Sequence, residues 1–452
     1  MGYTGVHGGG AARLPFGFQA RQLAVILVAA VLRDGRALDD AIGKAHGLPQ
    51  FKELEPRDRA LARMIATTVL RRQGQLEAVV STFIDKPLPD KRGNLTPILL
   101  TAAAQLLFLE SAPHAVINIA VEQCRHDGGA RRFGKLANAV LRRTSERGRE
   151  IIAAQIDGAR LNIPDWLWQR WVSAYGEATA LQIAAASLEQ APLDISVKDD
   201  PTGWAERLGA TVLPTGSLRM AAEGRIEDLP GYLEGGWWVQ DAAAALPAKL
   251  LGNVTGKRVA DLCAAPGGKT ASLAARGAIV TAVDQSSERL SRLSANLARL
   301  HLAADVIAAD ATTWAPAEPL DAVLLDAPCS ATGTIRRHPD ILRLKRSTDM
   351  AKLVPLQERL LSHAVTLVKV GGTIVFCTCS LEPEEGVEQV ERLLALNANV
   401  RREPIKAEEI GGDASWITQA GDLRTLPFHA AGAVSGLSGL DGFYAARLVR
   451  IA

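Results

Sequence analysis

Apolar residues between Arg21 and about Arg149 recur every three to four positions, as in LARMIATTVL (61–70) and ILLTAAAQLLFLE (98–110). That is the period of helices with one buried face. Loops containing Gly and Pro divide the stretch, so residues 21–150 predict an all-helical domain. Residues 1–20 ahead of it are rich in Gly and carry no apolar period, which predicts a flexible tail. Over 151–245 the pattern changes. IPDWLWQRWVSAYG (163–176) still has helical spacing, but APLDISVK (191–198) reads as a strand, and short strand signals broken by Gly and Pro continue through GWWVQDAAA (236–244). This segment predicts a small α+β linker domain. Trp166, Trp168, Trp171 and Tyr175 offer base-stacking surfaces, yet their helical spacing predicts core packing for most of them.

From residue 246 to 452 strands and helices alternate. KRVADLCAAPGGKTASLAA (257–275) reads as a buried strand, a tight loop with two glycines, and a helix. IVTAVD (279–284), DVIAAD (305–310), LDAVLLDAPCS (320–330) and GGTIVFCTCS (371–380) read as further strands with helical stretches between them. Alternating β and α with polar residues at strand ends predicts a parallel, Rossmann-like α/β sheet that takes its ligand at the carboxyl edge.

Composition narrows this picture. A chain of 452 residues is too long for one core and, at about 100 to 200 residues per domain, predicts two or three. With 48% hydrophobic and 22% charged residues it reads as soluble and globular. The apolar run Leu23–Leu32 is closed by Arg33 and falls short of the roughly 20 residues of a bilayer span. No cleavage-site pattern follows it, so the expected location is the cytoplasm, without a membrane partner. Five cysteines with no CxxC pair argue against a disulfide framework and against a structural zinc site, so no metal is expected. The net charge of +2 hides an asymmetry: residues 1–160 hold 23 Lys/Arg against 15 Asp/Glu, the remainder 28 against 34. A basic front on a mildly acidic body suggests a phosphate-binding module, although solvated helix faces would give the same counts.

The chemistry concentrates after residue 255. Two glycines let the backbone of the 263–269 loop approach a ligand, and the helix that follows offers free N–H donors. Sixteen residues after Gly268, Asp284 closes a strand where an acidic residue holds ribose hydroxyls in doubly wound nucleotide sites. The loop does not match GxGxxG, which disfavours a nicotinamide dehydrogenase. Asp310 and Asp326 close two further strands, and the three aspartates together with the loop carry more weight than any one alone. Two thiol-bearing turns then suggest a reaction. Carbon 5 of cytosine is a poor nucleophile until a thiolate adds at carbon 6 and makes the ring an enamine able to attack a sulfonium methyl. This needs a cysteine in the site and an acid near the N3 edge. Asp326 and Cys329 share one turn, and Cys379 ends a neighbouring strand. Cys124 reads as an inert buried residue, a reading that stays open for Cys263 and Cys377. Spacing alone does not separate Cys377 from Cys379, which share a face in an extended strand.

HAVINIAVEQC (114–124) followed by FGKLANAVLRR (133–143) resembles the NusB fold, a small helical RNA-binding module, and implies that Asn138, Arg142 and Arg143 contact RNA. DLCAAPGGKT, DAPCSATGT and CTCSLEPEEG, highly specific as a set, resemble the Sun/Fmu (RsmB-like) family of RNA cytosine-C5 methyltransferases. The resemblance covers nearly all of the chain past residue 20, including the ending DGFYAARL (441–448) after Pro427 and His429. It implies S-adenosyl-L-methionine as cofactor, with Cys263, Ala264, Ala265, Pro266, Gly267, Gly268 and Lys269 around its methionine and ribose end. Asp284 would hold the ribose, Asp310 the adenine, and Asp326 would border both cofactor and base. It further implies Cys379 as nucleophile, Cys329 as the helper for product release, RNA and most plausibly 16S rRNA as partner, no DNA, and a monomer.

HPDILRL (338–344) lacks the aromatic residue the family often carries there, and APLDISVK has Ser196 and Lys198 where Arg and Asn are more usual. Both departures bear on the target nucleotide rather than on the reaction. The alternatives are the same chemistry on tRNA or another RNA, or a non-catalytic NusB-like RNA-binding adaptor. A DNA cytosine methyltransferase would use the Pro-Cys thiol as nucleophile and carry a Glu-Asn-Val segment, which does not occur here.

Overall fold

The apolar run near the start forms the centre of a helical unit. In the computed structural model, which describes residues 14–222, 224–430 and 437–452, α1 (Phe18–Leu32) buries Leu23, Leu27 and Val28 against its neighbours α2 (Leu38–His46), α3 (Pro56–Arg71) and α5 (Leu95–Leu107). α4 (Gln73–Thr82), α6 (Pro113–His126) and α7 (Gly134–Ala153) complete it. Residues 1–13 of the expected tail lie outside the described residues. From Phe18 the chain is already helical, because that ring is buried edge-on against His126 at 5.6 Å. Among the described residues no helix is long and apolar enough to cross a membrane.

This first compact unit reaches Asn162, not 150. Asn162 is fully buried; its Oδ1 accepts the Gln75 backbone N–H at 3.1 Å, and its Nδ2 donates to Gln75 Oε1 at 3.1 Å and to the Gly158 carbonyl at 2.9 Å. Those polar pairings tie the end of the segment back onto α4, a long-range link that hydrophobic periodicity does not report.

The second unit runs from Ile163. α8 (Asp165–Tyr175) and α9 (Glu177–Ser187) lead into an antiparallel sheet of order β2-β3-β1-β4, made of β1 (Leu193–Val197), β2 (Thr211–Val212), β3 (Leu218–Met220) and β4 (Trp237–Val239), with α10 (Pro201–Leu208) between β1 and β2. Of the four aromatics expected mostly in the core, Trp171 alone is buried, while Trp166, Trp168 and Tyr175 are half-buried. The α+β segment has a small core of Leu193, Ile195, Leu208, Leu218 and Trp237. It belongs nevertheless to the same compact unit as the residues after 245. The tie is a buried charge cluster: Arg219 forks onto Asp194 with two 2.7 Å bonds, and Arg337 reaches Asp241 at 2.5 Å and Asp441 at 3.1 Å.

α11 (Ala242–Lys249), capped by Asp241, opens the larger sheet. β5 (Arg258–Leu262), α12 (Gly268–Ala275), β6 (Ile279–Asp284), α13 (Ser287–Arg299), β7 (Asp305–Ala308) and β8 (Leu320–Asp326) are followed by the short α14 (Ile341–Leu344), α15 (Met350–Leu367), β9 (Val368–Thr378) and α16 (Val387–Leu396). β10 (Val400–Arg402), β11 (Leu423–Thr425) and β12 (Phe443–Arg450) close the chain. The order is β10-β12-β9-β8-β5-β6-β7, with β11 on β12. The five strands β7, β6, β5, β8 and β9 are parallel, and the closing strands pair antiparallel. Ala322 and Leu324 of β8 face a core with α11 and α12, while Val323 and Leu325 face one with α15. Burial on both faces explains why this strand reads as a continuous apolar run. The chain leaves β5 toward β6 and β7, then returns to β8 on its other side. The carboxyl ends of β5 and β8 thus flank the topological switch point, where such sheets bind ligands.

Candidate active site

The loop after β5 is held open for close approach. Cys263 takes φ +61° and Gly267 φ +102°. A Cβ on Gly267 would lie 2.8 Å from Leu293 of α13, so only glycine lets the loop turn there into α12. Gly268 and Lys269 open that helix, whose first-turn N–H groups have no intrahelical acceptor. Asp284, at the end of β6 and almost fully buried, receives the Ala265 N–H on Oδ2 at 3.1 Å and the Ser286 N–H on Oδ1 at 2.9 Å. Each oxygen keeps a lone pair for a ligand hydroxyl, and the same carboxylate fastens the loop. Asp310 lies two residues beyond β7, is exposed, and takes the Thr312 N–H and hydroxyl, both at 2.8 Å. These bonds hold its carboxyl below the usual range. Beneath the loop the Asp261 carboxyl is pushed up to about 7 by burial, with the Thr270 hydroxyl on one oxygen at 2.6 Å.

The carboxyl ends of β8 and β9 carry the reactive groups. Asp326 and Cys377 are register partners. Asp326 Oδ2 accepts from Lys269 Nζ at 2.7 Å, and its Oδ1 receives the Cys377 thiol at 3.7 Å. Burial works against the Lys269 charge, but the Asp326 carboxylate outweighs it and the ammonium is held more firmly than usual. Burial, reinforced by Asp326, pushes the Cys377 thiol well up, and burial takes Cys263 up to about 12. Both therefore stay protonated near neutral pH.

Cys329, three residues past Asp326, places its Sγ 3.5 Å from Cys379 Sγ, just beyond β9. Its pKa is raised well above the ordinary thiol value, first by the bond to Cys379 and then by burial, and either sulfur can be the donor of the pair. Cys379 is half-buried, Cys377 fully buried. The two thiols that spacing leaves equivalent therefore have separate surroundings: one faces Asp326, the other Cys329.

Sequence reasoning assigned nothing to Glu385, a fully buried carboxylate beneath both thiol-bearing turns, or to Gln240, whose Oε1 takes the hydroxyls of Ser196 at 2.9 Å and Ser272 at 3.2 Å beside Gly268. The acidic run in CTCSLEPEEG was the available signal for Glu385. Tyr175 donates to the Leu381 carbonyl, and Arg170 pairs with Glu382 and, at 2.6 Å, with Glu384. Lys198, one of the departures from the family pattern, donates to the Leu300 carbonyl at 3.0 Å.

In the first unit, α6 and α7 border a groove of about 1060 Å³ lined by Asn118, Arg125, Arg132, Lys135, Asn138 and Arg142. Arg143 is exposed outside that lining. Asp127 braces the loop between the helices by accepting the N–H groups of Gly129 at 3.0 Å and Ala130 at 2.8 Å.

Two family descriptions match the two units: the NusB family over residues 18–146 and 16S rRNA methyltransferase RsmB/F over residues 248–449. A solved structure, PH0851, shares the fold at TM-score 0.74, with 22% identity over 97% of this chain and 99% of its own. A methyltransferase homolog protein from Pyrococcus horikoshii gives TM-score 0.53 and 26% identity over 65% of this chain and 98% of its own. Ribosomal RNA small subunit methyltransferase B of Xylella fastidiosa (strain Temecula1) is 35% identical over 449 residues, 96% of this chain and 98% of that protein. With identity of that extent across both units, and a two-thiol, glycine-loop site at the switch point of the sheet, this chain belongs to the RsmB/F family of 16S rRNA methyltransferases.

Proposed function

We propose that the protein methylates carbon 5 of a cytosine in 16S rRNA, using S-adenosyl-L-methionine and a covalent bond from Cys379 to carbon 6 of the base. The observation that carries this reading is the pair of thiols 3.5 Å apart just past the ends of β8 and β9, next to the Asp326–Lys269 pair and the glycine loop. The donor set suits the cofactor: a loop that only glycine can turn, a helix amino terminus, and Asp284 with lone pairs free for ribose hydroxyls. Residues 263–269 would hold its methionine and ribose end, and Asp310 its adenine edge. The bound cofactor supplies an electrophilic methyl group on a sulfonium.

The remaining steps belong to the chain. Cys379 adds as thiolate to carbon 6, and Asp326 borders the N3 edge that gains electron density as the ring becomes an enamine. Lys269 keeps Asp326 in place. After methylation Cys329 lies beside the Cys379–carbon 6 bond. With Cys379 alkylated the first cause of its raised pKa is removed, and Cys329, its own proton passed to solvent, takes the carbon 5 proton as the bond breaks and Cys379 leaves as thiolate. The basic groove between α6 and α7 fits the phosphate backbone of the RNA. Bisulfite sequencing of total RNA from cells with and without the gene tests the reading. One cytosine of 16S rRNA should lose protection in the mutant; protection lost only in another RNA class, or nowhere, refutes it.

A further inference from the structure

Cys329 and Cys379 lie on turns from different strands, 50 residues apart in sequence, yet their sulfurs meet. The residue after each thiol is a serine, Ser330 and Ser380, and both serines bond to one carboxylate. Glu385 Oε1 accepts the Ser330 N–H at 3.0 Å and Gln357 Nε2 at 3.1 Å. Its Oε2 accepts the Ser330 hydroxyl and, at 2.6 Å, the Ser380 hydroxyl. The residue before Cys379 is included, since Thr378 Oγ1 donates to the Glu385 carbonyl at 3.1 Å. Glu385 is fully buried, and four donors converge on its two oxygens, a demand that a carboxylate meets and an amide does not. Other ties also cross between the turns: the Ser330 and Ser380 hydroxyls bond each other at 3.1 Å, Thr332 Oγ1 lies 3.4 Å from Ser380 Oγ and donates to Glu382 Oε1 at 3.4 Å, and the N–H groups of Gly333 and Leu381 reach the Cys379 carbonyl at 2.9 Å and Thr332 Oγ1 at 3.0 Å. The serine pair joins the same two residues that Glu385 holds, and the carboxylate accepts from both hydroxyls.

We infer that Glu385 is a positioning residue for the reaction: it sets the separation of Cys329 and Cys379, and with it the coupling of base attack to product release. The functional half of this inference rests on the roles proposed above for the two thiols; the geometric half does not. Glu385→Gln keeps the shape but turns an NH₂ group toward donors, of which only the serine hydroxyls can rotate to accept. Glu385→Ala removes the shared acceptor, leaving the Ser330 N–H without it, Gln357 Nε2 with the Pro328 carbonyl alone and the two serine hydroxyls with each other.

Two measurements on the full-length protein test this. Diamide takes two electrons and two protons from a thiol pair to form a disulfide, becoming the hydrazine, and peptide mass mapping reports how fast Cys329 joins Cys379. Loss of alignment by about an ångström should slow that step on the order of tenfold or more in Glu385→Ala, with Glu385→Gln between it and the wild type. Separately, denaturing gels report the ratio of RNA trapped on the protein to methylated RNA released. That ratio should rise in Glu385→Gln, as in Cys329→Ala, while cofactor affinity stays near wild type. Unchanged disulfide rates in both variants would overturn the inference, as would cofactor affinity and disulfide rate falling together in Glu385→Gln, the mark of general unfolding. Slower disulfide formation with no RNA trapped in any variant, Cys329→Ala included, would uphold the positioning role and instead refute the chemistry assigned to the thiols.

Discussion

Each cysteine near the site answers to a different neighbour, and the neighbours predict different phenotypes. Replacing Cys379 by Ala removes the only half-buried thiol at the end of β9 and should lower methyl transfer by about 10⁴-fold or more, with no covalent RNA complex. Cys329→Ala should allow attack and methylation but stall release, so RNA stays bound on denaturing gels. Cys377→Ala deletes a buried thiol whose partner Asp326 keeps its stronger bond to Lys269. It should cost about 1 kcal/mol of stability and leave turnover nearly intact. RNA trapped by Cys379→Ala instead would exchange the roles of the first two. The residue types were legible in the sequence, but their relations were not. Whether Cys377 or Cys379 faces the ligand depends on where β9 ends, and the strand stops at Thr378, one residue short of the second thiol.

At the scale of elements, the loop between β5 and α12 depends on the end of β6. Asp284 reads in sequence as a ribose ligand; in the fold its oxygens also hold the Ala265 and Ser286 N–H groups. Asp284→Ala should therefore weaken S-adenosyl-L-methionine by two routes, a lost hydroxyl acceptor and orphaned N–H donors at about 1–3 kcal/mol each. Calorimetry should show affinity down by about 100-fold or more, with Asp284→Asn intermediate because one oxygen remains. Unchanged affinity in the Ala variant would remove Asp284 from the cofactor site. Strand and helix alternation was readable from the apolar period, and so was the edge of the sheet that bears the site. The fastening of one loop by the next was not, because hydrogen bonds between residues distant in sequence leave no period.

On the scale of the whole molecule, charge and boundary act together. The basic excess lies in residues 1–160, and the unit that carries it closes at Asn162 through three hydrogen bonds to Gln75 and Gly158. A fragment ending at 162 should fold and bind RNA weakly, with affinity falling steeply as salt rises, because each phosphate contact releases counterions. The same fragment cut at 150 loses the last residues of α7 and the Asn162 tie, and should melt at a lower temperature. Salt-independent binding of the longer fragment would reduce the charge excess to solvation. The apolar period ends the helical domain at 150, whereas the compact unit runs on to Asn162, whose buried hydrogen bonds leave no apolar stripe to read.

The pairing of β8 with β9 also says which edits the gene can carry. Near its start the register jumps from Leu320 opposite Val368 to Ala322 opposite Thr373, with Gly371 at φ +81° and Lys369, Val370 and Gly371 exposed. Insertions or deletions there are absorbed by a loop already out of step. From Thr373 to Cys377 the pairing is unbroken. One codon gained or lost in that stretch would turn every later side chain to the opposite face; a loss would leave Cys379 where Thr378 now sits, and a gain would move it to the place of Ser380. The strand is thus permissive to changes of length at one end and closed to them at the other, and reading-frame-preserving indels in natural variants of this gene should cluster at codons 369 to 372 and be missing from 373 to 379.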